Sequence, residues 1–164
     1  EIYGEYTNLV EPYGCDEAWL DVTDSTVLKG GGRKIAEEIS RRVKRELGIT
    51  VSIGISWNKI FAKLGSDYKK PDGITAFTKE NYKELLWRLP AADLLYVGRS
   101  TRNTLNRYGI KTIGELALSD PKFLERLLGK MGLVLYTFAN GLRQLCPKTY
   151  ENRRSVMLIL YLKT

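Results

Sequence analysis

The sequence changes character at Thr78, and that break limits the possible folds more than any other feature. Before it, short β-type runs alternate with amphipathic helix. Residues 11–13 and 18–22 read as strands, 33–47 as a helix, 49–55 as a strand, 58–68 as a helix and 74–77 as a strand. In the first helix Ile35, Ile39, Val43 and Leu47 recur every four residues, which predicts one apolar stripe with Gly48 as its stop. The second helix puts Ile60, Phe61 and Leu64 on its apolar side, and Pro71-Asp72-Gly73 marks a turn. This order predicts an α+β layer with helices on one face of a mixed sheet. After Thr78 the segments 79–89, 101–108, 113–118, 121–128 and 133–140 read as short helices, punctuated by Gly98, Gly109, Gly129, Gly132 and Gly141. A last apolar run, 156–162, reads as a strand that needs a partner.

Charge and missing residue types narrow the chemistry. Lys and Arg total 26 against 19 acids, a net charge of +7 with a pI near 9.4. An excess of this size suits a polyanionic partner, nucleic acid first, although a solvated basic surface fits it equally. The 164 residues contain no histidine. Ser-His-Asp triads, Cys-His pairs and His-ligated metals are therefore excluded, and carboxylates, Lys, Tyr or Cys must carry any acid-base or metal chemistry. Cys15 and Cys146 lie too far apart in sequence for zinc spacing or a disulfide framework. No apolar run approaches the roughly 18 residues of a membrane span, no signal peptide is visible, and a reduced cytoplasmic setting is expected. The chain opens at Glu1 without a methionine and closes on an apolar run, so it reads as an internal piece of something larger.

Three motifs carry the functional reading. Asp16 and Glu17 lie at or beside the connection between the first two strands, flanked by Val10-Glu11-Pro12-Tyr13 and Ala18-Trp19-Leu20-Asp21-Val22. At a hairpin tip both carboxylates can approach one ion, and hard oxygen donors of this kind suit Mg²⁺. Read alone, the pair is equally an ordinary acidic turn. The second motif, residues 52–73, is a strand, a Ser/Asn cap, a helix and then Lys69-Lys70-Pro71. Lys70 can meet a triphosphate as a point charge, or can be a solvated lysine at a helix C-terminus. The third motif, residues 94–117, has the order of a helix-hairpin-helix. Its turn, with Gly98, Arg99, Ser100, Thr101 and Arg102, offers helix N-terminal amides and charge to one DNA phosphate; an ordinary helical hairpin reads the same way.

Together, in this order and spacing, these motifs resemble one family, the Y-family (translesion, lesion-bypass) DNA polymerases of bacterial type. The resemblance implies a partial palm over 1–77, a helix-hairpin-helix thumb over 78–141 and a linker or the start of a little finger over 142–164. It implies template-directed nucleotidyl transfer past damaged bases with two Mg²⁺ ions. Asp16 and Glu17 would act as metal ligands, Lys70 as the triphosphate contact and Gly98, Arg99, Ser100, Thr101 and Arg102 as the DNA-backbone contact. Primer-template DNA and deoxynucleoside triphosphates are the implied partners, with a sliding clamp reached through a C-terminal region absent here. The family's further metal-binding Asp, on an upstream Asp-x-Asp-x-Phe-type strand, and its fingers have no match in this sequence. The chain by itself is therefore expected to hold Mg²⁺ weakly at best and to be inactive. A non-catalytic DNA-binding repair protein using the helix-hairpin-helix is the alternative.

Overall fold

The computed structural model describes residues 1–26, 30–142 and 157–163, and these form two compact units. The first contains Glu1–Thr78 with the strand near the C-terminus; the second is made of the described part of Lys79–Tyr150.

The first unit is a five-stranded mixed sheet. Its strands are β1 (Val10–Tyr13), β2 (Glu17–Asp21), β3 (Thr50–Ser56), β4 (Ile74–Ala76) and β5 (Met157–Lys163), in the order β1-β2-β5-β3-β4. β1 and β2 form an antiparallel hairpin with Tyr13 opposite Glu17. β3 and β4 run parallel, joined through a helix as parallel strands require. β5 is the central strand, antiparallel to both β2 and β3, with Glu17 opposite Tyr161 and Ser52 opposite Tyr161 on the other side. Residues 157–163 thus complete this sheet, and the rest of 142–164 apart from Leu142 lies outside the described residues.

Strand alternation decides where the helices go. Ala18, Leu20 and Val22, with Val51, Ile53 and Ile55, pack on Ile35, Ala36, Ile39 and Val43 of α1 (Gly32–Leu47). The intervening residues face α2 (Lys59–Tyr68): Trp19 packs on Ala62, and the backbone at Gly54 lies against the backbone of α2. The α+β class and the mixed sheet match the expectation, but the helices take opposite faces of the sheet rather than one. Leu47 also departs from the predicted stripe and is 58% exposed. A strict four-residue repeat drifts about 40° per step on a helix of 3.6 residues per turn, so the stripe has rotated away by its fourth member. Gly48 ends α1 in the left-handed region at φ 69°, its N–H donating to the Lys44 carbonyl. Much of the basic face of α1 is neutralised internally: Arg33 pairs with Glu37, Arg42 with Glu5 and Glu46, Arg45 with Glu46, and Lys44 with Asp72.

The second unit is helical: α3 (Tyr82–Leu86), α4 (Arg99–Arg107), α5 (Ile113–Leu118), α6 (Pro121–Leu128) and α7 (Lys130–Ala139). Leu86, Leu105, Ile113, Leu116, Leu124, Leu135 and Phe138 are buried. The helix expected over 79–89 shrinks to five residues. Its carbonyls are committed elsewhere, since Trp87 O accepts from Gly114 N and Leu89 O from Ile113 N. α7 starts three residues earlier than expected, because Gly132 is a packing residue rather than a break. A Cβ there would lie 2.0 Å from the Leu124 carbonyl oxygen of α6.

α5 opens on a reciprocal cap. Thr112 Oγ1 accepts from Glu115 N, and the Glu115 carboxylate accepts from the amides of Lys111 and Thr112. These backbone bonds, Lys111 first, hold the Glu115 carboxyl below its usual range. A lowered folded pKa contributes stability above the ordinary glutamate range, and that contribution is lost as pH falls below it. Thr112→Ala should cost about 1 kcal/mol, read as a lower urea midpoint at neutral pH.

Candidate active site

Gly14 turns the β1–β2 hairpin at φ 67°, which a glycine adopts without strain, and Cys15 and Asp16 complete the turn. Glu17 is the first residue of β2. Alternation sends Glu17 to the α2 face, with Trp19 two residues on, while Asp16 stays in the turn and outside that alternation. The two residues thus lie consecutively at one end of the sheet, Asp16 half-buried and the Glu17 side chain only 9% exposed.

α2 supplies the counter-charges. Asn58 caps it by accepting from Phe61 N. Trp19 Nε1 donates to the Lys59 carbonyl at 3.3 Å, and the Lys59 ammonium lies 5.0 Å from the Trp19 ring centroid while pairing with Glu11. One turn further along, Lys63 Nζ donates to Glu17 Oε1 at 2.7 Å and pairs with Asp67 Oδ2 at 3.0 Å. Asp67 Oδ1 in turn meets Lys70 Nζ at 2.5 Å. Glu17, Lys63, Asp67 and Lys70 thus form one chain of alternating charge. Burial works against the charge on Lys63, but its bonds to Glu17 and Asp67 outweigh that and raise its pKa above the ordinary lysine value.

Asp16, Glu17 and Lys70 are thus gathered in the first unit. The other predicted residues lie in the second unit, at the start of α4. Gly98 is its N-cap, with extended backbone and no side-chain cap, so the first amides of the helix have no side-chain acceptor. Gly98, Arg99, Ser100 and Arg102 are exposed and Thr101 is half-buried. Just before them Tyr96 takes φ 71°, a left-handed conformation in a residue with a large side chain, and is 59% exposed. Lys63 and Asp67 were not singled out from sequence. Their signal was the i, i+4 spacing of Lys63 and Asp67 on one helix face, with Lys70 just past the helix end, which reads equally as surface charge.

Asp16 and Glu17 have the hard oxygen chemistry of a Mg²⁺ site, and Glu17 already holds a cation in the Lys63 ammonium. The donor set fits such an ion in kind. Among the described residues, however, no cluster of three or more acidic, Cys or His side chains forms.

Comparison with known proteins narrows this further. The model of the impB/mucB/samB family matches residues 1–67. A DNA polymerase IV of Acetivibrio thermocellus is 57% identical over 141 residues, 86% of this chain and 35% of that protein. Over most of its length the chain is similar to the Y-family DNA polymerases. A Clostridium perfringens DNA polymerase IV is 43% identical over 155 residues, 94% of this chain and 43% of that protein. The chain therefore spans less than half the length of these curated relatives. Among solved structures, an insertion ternary complex of Dbh DNA polymerase superposes with a TM-score of 0.79 at 26% identity, covering 88% of this chain and 43% of that one. DinB from Sulfolobus solfataricus gives 0.77, also at 26% identity, with 88% and 43% covered. The palm-like sheet unit and helical thumb-like unit are thus the fold of this family. No helix among the described residues is long and apolar enough to cross a membrane.

Proposed function

We propose that this chain carries the metal-binding palm and the DNA-gripping thumb of a polymerase that copies DNA past damaged bases. The carrying observation is the linkage of Glu17 through Lys63 and Asp67 to Lys70. It supports reading the hairpin turn as a hard-cation site and Lys70 as a phosphate-seeking lysine. Asp16 and Glu17 would hold Mg²⁺. When bound, two such ions stabilise the attacking primer oxygen and the departing pyrophosphate oxygen. Lys70 receives the triphosphate of the incoming deoxynucleotide as a point charge, leaving Asp67 as it does so. In the thumb, the α4 amides and the exposed Arg99 and Arg102 take one backbone phosphate of primer-template DNA, a contact blind to sequence and therefore tolerant of damaged template. The names of the relatives support this reading, as does the solved Dbh polymerase in an insertion ternary complex. With no third acidic side chain beside the pair among the described residues, the chain on its own extends no primer.

A segment swap tests this. Residues 1–141 replace the matched segment of the 57%-identical DNA polymerase IV. The swapped enzyme should extend a primer in Mg²⁺, on undamaged and lesion-bearing templates, and its DNA affinity should fall steeply with salt. A swapped enzyme that folds and binds primer-template but does not extend it would refute the reading.

A further inference from the structure

The Glu17 side chain is 9% exposed, and a carboxylate that far from water needs a positive partner. Lys63 is that partner, its own side chain 18% exposed and its Nζ 2.7 Å from Glu17 Oε1. Asp16, one residue earlier, has no ion-pair partner among the described residues. The ammonium therefore sits at Glu17, where a divalent ion would add its charge, and two cations on one carboxylate repel. Lys63 has a second acceptor within reach, since Asp67 Oδ2 lies 3.0 Å away on the same helix, 43% exposed and four residues on.

We propose that Lys63 is the resident counter-cation of Glu17, a positioning residue that keeps this carboxylate charged and aimed until a divalent ion displaces it onto Asp67. The proposal rests on reading Glu17 as a metal ligand. It adds an exchange: one cation leaves Glu17 as the other arrives, so the acidic pair never stands bare in a poorly solvated place. Asp67 also holds Lys70, so the same exchange draws both ammoniums to one carboxylate and ties metal loading to the triphosphate lysine.

Thermal unfolding of the 164-residue chain tests it, with and without MgCl₂ and with NaCl matching the ionic strength. Lys63→Met should unfold about 10 °C below the wild type, because it leaves Glu17 without a counter-charge. Mg²⁺ should return about 4 °C at a tenfold excess over its Kd, and clearly less to the wild type, where the ammonium already does this work. Lys63→Arg should behave as wild type, and Lys63→Met/Glu17→Gln should lose the Mg²⁺ response. Equal Mg²⁺ responses in wild type and Lys63→Met, both removed by Glu17→Gln, would overturn the exchange and leave Glu17 a metal ligand. No Mg²⁺ response in any variant would overturn the ligand reading as well. If Lys63→Met does not fold, the wild-type chain decides: the Lys63 ammonium NMR signal should move on Mg²⁺ titration, and an unmoved signal overturns the proposal.

Discussion

Gly54→Ala should remove a large part of the stability of the sheet unit. A Cβ on Gly54 would lie 1.8 Å from the Ala62 carbonyl oxygen and 2.5 Å from the Ser66 amide nitrogen. Both are backbone atoms of α2, so no rotamer change relieves the overlap. From the other side, a Cβ on Gly65 would approach the Gly54 Cα to 2.9 Å. The two glycines let β3 and α2 meet backbone to backbone, and α2 carries Lys63 and Asp67 toward Glu17. Moving the helix outward would strip cover from Phe61, Ala62 and Leu64, all buried, and open the Trp19–Ala62 contact. The expected penalty is at least about 4 kcal/mol, a large part of the whole stability of a domain this size. Circular dichroism and urea denaturation would read it, and a variant within about 1 kcal/mol of wild type would show that the contact is looser than described.

In the swapped polymerase, Glu17→Gln and Asp16→Asn should each cut the rate of primer extension by a hundredfold or more, on the order of the loss when one charge stabiliser is removed from an active site. Glutamine keeps the size of Glu17 and can still accept from Lys63, so the fold survives while the charge needed to hold a cation is lost. Primer-template affinity should change little, because Gly98, Arg99 and Arg102 belong to another unit. The loss therefore appears in kcat, with the Kd for DNA nearly constant. Extension by the Glu17→Gln enzyme within about fivefold of the unsubstituted swap would remove Glu17 from the metal site.

Much of this was legible in the sequence. The β1–β2 hairpin with Asp16 and Glu17 at its turn, the buried stripe of α1 and the Asn58 cap follow from period, turn chemistry and capping. The opposite placement of α1 and α2 was not legible. It depends on Gly54 and Gly65 meeting across two elements, and a glycine in a strand or a helix reads first as a weakness rather than a contact surface. Leu47 misled because a four-residue repeat only approximates the helical period. The linkage of Glu17 to Lys70 was hidden for a different reason. It runs through Lys63 and Asp67, ordinary helix-surface residue types, and Lys63 becomes special only because it lies 46 positions from Glu17 in sequence and 2.7 Å from it in space. Tyr96 at φ 71° was equally hidden, since nothing around it marks a left-handed turn.

Fe²⁺-directed cleavage tests at residue level whether Asp16 and Glu17 are where a divalent ion binds. Fe²⁺ takes oxygen sites in place of Mg²⁺, and with peroxide and ascorbate it cuts nearby backbone. The 164-residue chain should be cut beside Cys15–Ala18, with the cleavage suppressed by excess Mg²⁺ and absent in Glu17→Gln. Cleavage confined to other segments, or undiminished at this turn in Glu17→Gln, would contradict it.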